Sequence, residues 1–166
     1  PTSRYARGMH WVFAYGSNMD LGDLTNWFQG KGLGNPRVLH LAVGSLPEHR
    51  LVWNYRSLSR GAGAANVEIA SQSSVPGLLL QLDEATLLAL DQKEGHPERY
   101  RREHLTCRVW SGEPRDAWVY RGQPEFRQPA FVAPTRWDRD LLLCAARRHG
   151  FPADYVAALE SLELAD

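Results

Sequence analysis

Four consecutive apolar residues, at positions 11–14, stand near the start of the sequence and are followed at once by a polar stretch. The aromatic and β-branched content of this short run predicts a buried strand. The residues after it, Gly16, Ser17 and Asn18, favour a turn that exposes backbone N–H groups. A strand and turn of this kind, followed by a helix, can bind a carboxylate or phosphate or can be a simple connection.

A helix is predicted directly after this turn, because Asp20 is a typical N-cap residue. Its apolar side chains recur at helical spacing on one face, at Leu21, Leu24, Trp27 and Phe28. Apolar runs bounded by polar segments then predict six strands, over residues 37–43, 51–55, 64–70, 75–82, 100–110 and 117–121. The first two are expected to be joined by a turn at residues 47–49, and the next two to be separated by residues 71–74.

Three more helices complete the predicted pattern. Asp83 is expected to cap a short helix that ends at Gly95, a typical C-terminal breaker. Two helices close the chain, with Gly150 ending the first and Pro152 starting the second. The apolar face of the first is expected to comprise Trp137, Leu141 and Cys144, and that of the second Tyr155, Val156, Leu159 and Leu162. Several strands with few helices between them indicate an α+β fold, a mainly antiparallel curled sheet or small barrel with flanking helices.

Composition narrows the class of protein. The sequence has 166 residues and a formal net charge of zero, which argues against a nucleic-acid binder that relies on bulk electrostatics. No apolar run approaches the length of a membrane span, and no signal-peptide core is seen in the first ten residues, so we expect a cytoplasmic protein without membrane partners. Residues 1–8 are expected to be a flexible lead-in, and residues 9–166 a single domain.

Metal and thiol chemistry have no support in the residue spacing. The two cysteines, Cys107 and Cys144, belong to no CxxC pair, and we expect both to be reduced thiols in the core. No two of the six histidines have a spacing that suits a metal on one helix or strand face. We therefore expect neither a metal nor an organic cofactor.

A second candidate for chemistry is Glu94, which stands at the predicted end of a helix, directly before Gly95. A carboxylate in such a position acts as a general acid or base if it also lies in a cleft. The alternative is a solvated glutamate in an exposed last turn, which is common in proteins.

Two segments resemble those of the γ-glutamylcyclotransferase-like family. The stretch Phe-Ala-Tyr-Gly-Ser-Asn-Met, residues 13–19, resembles the family's entry strand and substrate loop. The stretch Leu-Asp-x-x-Glu-Gly, residues 90–95, followed by Tyr100 in a strand, resembles its catalytic segment. The similarity extends from about residue 11 to residue 162, although Pro76 stands where many relatives have an aromatic residue.

The resemblance implies an intramolecular acyl transfer on a γ-glutamyl substrate. In that reaction the α-amine attacks the γ-carbonyl, and the products are 5-oxoproline and a free amine. The resemblance assigns proton transfer to Glu94. It assigns substrate binding to six residues: Tyr15, Gly16, Ser17, Asn18, Met19 and Tyr100. Residues 57–63 and 123–134 are expected to set specificity, because irregular segments around a rigid site usually do.

Other functions stay open at this stage. The same fold could be a non-catalytic module in which the loop at Tyr15 binds a carboxylate or a peptide end. The six tryptophans could instead serve a surface for protein partners. Tyr100 could be a packed core residue rather than a pocket residue. A serine hydrolase is disfavoured because Ser17 lies in no Gly-x-Ser-x-Gly motif. Neither the leaving amine nor the oligomeric state can be predicted from the sequence.

Overall fold

The computed structural model describes residues 8–166 of the chain. The predicted lead-in falls almost entirely on residues 1–7, which lie outside the described part. Five strands form a closed barrel: β1 (Met9–Ala14), β2 (Val38–Ser57), β3 (Ala62–Asp83), β4 (Tyr100–Val109) and β5 (Pro114–Gly122). Their order around the barrel is β1-β3-β2-β4-β5, and it closes through a parallel pairing of Val12 with Trp118. All other strand pairs are antiparallel, which confirms the predicted α+β fold with a small barrel.

Four α-helices flank the barrel: α1 (Leu21–Gly30), α2 (Glu84–Glu94), α3 (Arg136–Arg148) and α4 (Ala153–Glu160). The predicted caps are confirmed for the first two, since the Asp20 carboxylate accepts from the Asp23 N–H and the Asp83 carboxylate from the Thr86 N–H. Gly95 ends α2 with a left-handed backbone, at φ 66°. Short 3-10 turns cover Ser17–Met19 and Pro124–Phe126.

Four of the six predicted strands are in fact two long ones. The predicted turn at residues 47–49 is wrong, because β2 runs through it with Glu48 at φ 57°. The predicted break at residues 71–74 lies inside β3, with Gln72 at φ 62°. The pairing moves from Pro47 with Ser74 to His49 with Ile69, which is a large bulge. Polar turn-forming residues therefore bend this hairpin without ending it, as bulges do.

The bent hairpin brings its far end against the ends of two other strands. The N–H of Gly122, at the end of β5, donates to Asn66 Oδ1 of β3 at 2.9 Å. A Cβ placed on Gly16, just after β1, would lie 3.7 Å from the Cβ of Ala65. The tip of the hairpin, residues 57–61, consequently lies at the same end of the barrel as the loop that follows β1.

Two residues of α3 that were expected in the core are exposed in the structure. Trp137 is 55% exposed and Cys144 is exposed, so only Leu141 of the predicted apolar face packs against the core. The buried face of α3 instead comprises Asp138, Leu142, Leu143, Ala145 and Ala146. Cys107 is a buried thiol as predicted. The face predicted for α4 is confirmed, with Leu159 buried and the other three residues packed against the same cluster.

Candidate functional site

A cavity of about 440 Å³ opens at the end of the barrel where β1 and β5 finish. Its walls come from the loop after β1, the tip of the β2–β3 hairpin, the end of α2, the start of β4 and the start of α3. Residues far apart in the sequence therefore line one space. The expected site residues Tyr15, Gly16, Ser17, Glu94 and Tyr100 all lie on its wall.

The loop after β1 presents backbone donors at this cavity. In the part of the chain that is described, the N–H groups of Gly16, Ser17 and Asn18 donate to no protein acceptor. The next two N–H groups, of Met19 and Asp20, close the 3-10 turn by donating to the carbonyls of Gly16 and Ser17, each at 3.0 Å. Three unpartnered N–H groups in one turn can bind an anionic group beside them.

Glu94 lies against this loop. Its Oε1 accepts a hydrogen bond from the Asn18 amide at 2.9 Å, across 76 positions of sequence. The carboxylate closes α2 and faces the cavity, and its side chain is 17% exposed. It is therefore shielded from bulk water while it can still reach a bound molecule, as proton transfer to a substrate requires.

Lys93 connects the same two segments. Its ammonium donates to Asn18 Oδ1 at 2.7 Å and to Ser17 Oγ at 3.4 Å, and it lies 3.9 Å from Glu94 Oε1. Because Lys93 orients the Asn18 amide whose nitrogen contacts Glu94, the four side chains form one connected group, of which Ser17, Lys93 and Glu94 line the cavity and Asn18 lies behind them. A positive charge, a carboxylate and free backbone donors are thereby brought together.

Two tyrosines on the cavity wall are held by main-chain oxygens. The Tyr100 hydroxyl donates to the Ala65 carbonyl at 3.0 Å, and the Tyr15 hydroxyl donates to the Tyr120 carbonyl. Burial is the main cause that raises the pKa of both hydroxyls, and the negative charge of Glu94 adds to it. Both phenols therefore stay protonated at neutral pH. Tyr100 is packed and also lines the cavity, so the interpretations of Tyr100 as a core residue and as a pocket residue are compatible.

A separate polar network holds the end of α2 against the barrel. Asp91 accepts from Arg102 Nε at 2.7 Å and from Arg102 Nη2 at 3.1 Å. It also accepts from the Tyr120 hydroxyl at 2.7 Å. A bidentate contact of this type constrains orientation as well as distance. The last turn of α2, and with it Glu94, is thus tied to β4 and β5.

The hairpin tip contributes another charged wall. Arg60 Nε lies 3.2 Å from the buried carboxylate of Asp138, which itself accepts from the Thr135 hydroxyl at 2.9 Å. Burial raises the pKa of the nearby Asp23, an effect that Lys93 and Arg60 oppose. Of the two segments expected to set specificity, residues 57–60 do line the cavity. The described residues of 123–134 do not line it, but Phe126 packs behind it against Tyr55.

Two of the residues expected to bind substrate, Asn18 and Met19, do not line the cavity. Met19 is only 3% exposed, belongs to the hydrophobic core and does not line the cavity. Its side chain completes the core beneath the loop, so its place in the motif reflects packing. Sequence reasoning also missed Tyr55, Lys93, Arg99 and Asp138, which line the cavity. Only Lys93 had a signal in the sequence, its position next to the candidate glutamate.

Two features are absent from residues 8–166. No group of three or more histidine, cysteine, aspartate or glutamate side chains in that range is placed to hold a metal ion. None of the helices there has both the length and the apolarity needed to cross a membrane.

The family model for "Gamma-glutamyl cyclotransferase, AIG2-like" matches residues 12–139, which is most of the chain. A protein from Methanocaldococcus jannaschii, named "Putative gamma-glutamylcyclotransferase", is 39% identical over 54 residues. That match covers 32% of this chain and 45% of the relative, so it spans less than half of either.

Solved structures with the same fold are much more distant in sequence. A gamma-glutamyl cyclotransferase superposes with a TM-score of 0.77 at 19% identity, covering 95% of this chain and 90% of the other. An uncharacterized protein from Homo sapiens superposes with a TM-score of 0.75 at 18% identity, covering 96% of this chain and 91% of the other. A yeast cyclotransferase described as specific to glutathione superposes with a TM-score of 0.65 at 11% identity, covering 92% of this chain and 94% of the other.

Proposed function

This chain belongs to the gamma-glutamyl cyclotransferase, AIG2-like family, and from that premise we propose that it converts a γ-glutamyl amide to 5-oxoproline and a free amine. One observation carries the proposal. The shielded carboxylate of Glu94 faces the cavity and accepts from Asn18 of a loop in which the N–H groups of Gly16, Ser17 and Asn18 have no acceptor within residues 8–166. A substrate that fills the cavity can contact the proton-transfer group and the anion-binding loop together.

The proposed reaction needs no nucleophile from the protein. The α-amino nitrogen of the substrate attacks its own γ-carbonyl carbon, a C–N bond forms, and a five-membered lactam results. The original amide C–N bond then breaks and releases the amine. Holding the substrate folded, with its amine against its carbonyl, supplies much of the rate enhancement because the encounter is already made.

Glu94 moves the protons in this scheme. The substrate's α-ammonium starts with three protons and the lactam nitrogen keeps one, so two must leave. The leaving nitrogen starts with one proton and departs as an ammonium with three, so it receives both. Glu94 takes a proton from the attacking nitrogen and returns it to the leaving nitrogen, as a general base and then a general acid. No water is consumed.

The loop and Lys93 bind the charged end of the substrate. The N–H groups of Gly16, Ser17 and Asn18 are suited to an α-carboxylate, and the ammonium of Lys93 lies next to the same loop. An oxygen that becomes negative during attack on the carbonyl is stabilised by donors of the same kind. Tyr15 and Tyr100 shape the pocket, since their hydroxyls already donate to main-chain oxygens.

A direct test is to incubate the purified chain with a panel of γ-glutamyl amines and to detect 5-oxoproline by mass spectrometry. The panel should span amino acids, dipeptides, simple amines and polyamines as leaving groups. We expect 5-oxoproline and the free amine in equal amounts from at least one of them. If none releases 5-oxoproline although binding is measurable by calorimetry, the chain is a binding module and the proposed activity is wrong.

A further inference from the structure

The ammonium of Lys93 is largely buried, and its hydrogen bonds go to neutral groups. The side chain is 10% exposed and lies in the last turn of α2. Among residues 8–166, Glu94 is the one carboxylate within 4.0 Å of it, and the 3.9 Å to Glu94 Oε1 is too long for a hydrogen bond. The ammonium donates instead to Asn18 Oδ1 at 2.7 Å and to Ser17 Oγ at 3.4 Å. The shortest contact of this buried charge is therefore with the Asn18 amide.

The two neighbours of the Asn18 amide determine which way it points. An ammonium can only donate a hydrogen bond and an ionised carboxylate can only accept one, whereas an amide does both. The amide oxygen accordingly faces Lys93, and the amide nitrogen donates to Glu94 Oε1 at 2.9 Å. Turned end for end, the amide would bring its N–H groups against the ammonium and its oxygen against the carboxylate. Lys93 thus excludes the orientation in which Asn18 cannot donate to Glu94.

The orientation of Asn18 in turn decides which oxygen of Glu94 is free. Oε1 accepts from Asn18, and among the described residues Oε2 accepts no hydrogen bond. The oxygen that no protein donor occupies is the one left to exchange a proton with a bound molecule. Without the donor on Lys93 both orientations of the amide would be open, and the direction of the carboxylate would no longer be fixed.

We propose that Lys93 is a positioning residue for proton transfer, because it holds the Asn18 amide against Glu94 Oε1 and so leaves Glu94 Oε2 to move the proton. This inference rests on the proposed function and adds a residue that acts on the reaction through its neighbour. It is compatible with a contact between Lys93 and the charged end of the substrate, since an ammonium has three N–H donors. The two roles differ in the constant they affect: positioning acts on kcat, and binding of the charged end acts on KM.

The test is a double-mutant cycle of Lys93→Met and Asn18→Ala, followed by release of 5-oxoproline. We expect Lys93→Met to lower kcat on the order of tenfold, the scale for a hydrogen bond to a charged group. In the Asn18→Ala background the same change should lower kcat by less than about twofold, because the residue through which Lys93 acts is already gone. Lys93→Arg keeps a charged donor and should recover most of kcat. Lys93→Gln removes the charge from a polar side chain and gives the same comparison if Lys93→Met does not fold.

Lys31→Met is the matched control, because Lys31 is the other lysine of the sequence, is exposed and does not line the cavity. It should keep the parent kcat. A fall in kcat by the same factor with and without Asn18 would overturn the proposal, since Lys93 would then act independently of the amide. A raised KM with unchanged kcat would also overturn it, since Lys93 would then only bind substrate. Both results leave the cyclotransferase activity standing.

If no γ-glutamyl amide releases 5-oxoproline, the proposed function fails, and nitrogen-15 NMR spectra of the labelled chain decide the role of Lys93 separately. The side-chain amide signals of Asn18 are identified by their loss in Asn18→Ala. We expect them to move in Lys93→Met and to keep their positions in Lys31→Met, because only Lys93 contacts that amide. Asn18 signals that stay in place in Lys93→Met would overturn the proposal.

Discussion

Asp91 and Glu94 lie three residues apart on α2, and the protein treats their carboxylates differently. Asp91 accepts two hydrogen bonds from Arg102 and one from the Tyr120 hydroxyl. Glu94 accepts one, from the Asn18 amide, and its carboxylate faces the cavity. The first carboxylate is thus held by the barrel, whereas the second keeps acceptor positions for a bound molecule.

This difference shows how one short motif can carry two roles. An ionised carboxylate offers about four acceptor positions. At Asp91 three donors occupy most of them, which fixes the last turn of α2 but leaves little for chemistry. At Glu94 one donor sets the direction of the carboxylate and leaves the rest free. We infer that Asp91 stabilises the end of α2 and that Glu94 serves the proposed proton transfer.

The largest effect is expected from Glu94→Gln. The amide keeps the size and the acceptor oxygen of the side chain but cannot shuttle a proton at neutral pH. We expect kcat to fall on the order of a hundredfold or more, the usual scale for lost general acid–base catalysis, while KM changes little. Steady-state release of 5-oxoproline measures both constants.

Glu98→Gln is the matched control for that variant, because Glu98 is exposed and does not line the cavity. It makes the same chemical change four positions away and should keep the parent rate. A Glu94→Gln protein that folds, binds a γ-glutamyl amide and still releases 5-oxoproline at the parent rate would remove the distinction between the two carboxylates of α2.

A smaller effect, mainly on stability, is expected from Asp91→Asn. The change removes the charge that faces Arg102, and both side chains are less than 20% exposed, at 14% and 17%. Breaking a shielded pair leaves the remaining charge uncompensated, so we expect the free energy of unfolding to fall by about 2 kcal/mol. Urea denaturation followed by circular dichroism measures it.

The exposed pair of Arg50 and Glu68 provides the comparison for that loss. The side chains are 63% and 31% exposed, so Glu68→Gln should cost less than about 1 kcal/mol. If Asp91→Asn costs no more than Glu68→Gln, the tie between α2 and the barrel is not what holds Glu94 in place. If it instead matches Glu94→Gln in lost turnover with unchanged stability, the roles assigned to the two carboxylates are wrong.

The smallest effect belongs to the opposite end of α2, where Asp83 caps the first turn. Hydrogen bonds from Thr86 lower the pKa of the Asp83 carboxyl below its ordinary value of 3.8. Asp83→Ala should cost about 1 kcal/mol at neutral pH, the typical value of an N-cap. The rate of 5-oxoproline release should change less in Asp83→Ala than in Glu94→Gln or Asp91→Asn.

The pH dependence of that cost has a definite sign. Because the folded-state pKa of Asp83 is lowered, its contribution is complete above pH 3.8 and disappears as the pH falls through the folded-state pKa. Urea midpoints of the parent and of Asp83→Ala, measured at pH 7 and at about pH 2, should therefore converge in acid. A gap that stays constant would mean that the carboxylate is not the capping group.

Sequence signals within one helical turn were sufficient to predict the features that depend only on neighbouring residues. The cap at Asp83, the breaker at Gly95 and the placement of Glu94 between them follow from side-chain and backbone preferences within one turn. The strand runs were also found, because β-branched and aromatic residues mark them. Such signals mark a bend but not whether the strand continues through it, and for this reason residues 47–49 and 71–74 predict strand ends that the structure does not have.

Errors at single residues have the same origin. Trp137 is assigned from helical spacing and Met19 from the resemblance of its loop, but the exposure of a side chain depends on what packs over it. In α3 the buried face packs into the main hydrophobic cluster, and its Asp138 contacts Arg60, 78 positions away. No local sequence pattern marks Arg99. What distinguishes it is its stacking on Phe126 and the lack of an ion pair within the described residues.

The closing pair of the barrel has a consequence for the timing of folding. Strand β1 pairs with the last residues of β3 and, at Val12, with Trp118 of β5. During synthesis at 5–20 residues per second, the second partner arrives roughly 5–20 s after the first strand. Until then the parallel pairing that closes the barrel cannot form. The loop at Gly16 is therefore translated well before the strand that closes the barrel beside it, and long-range pairing of this kind is intrinsically slow.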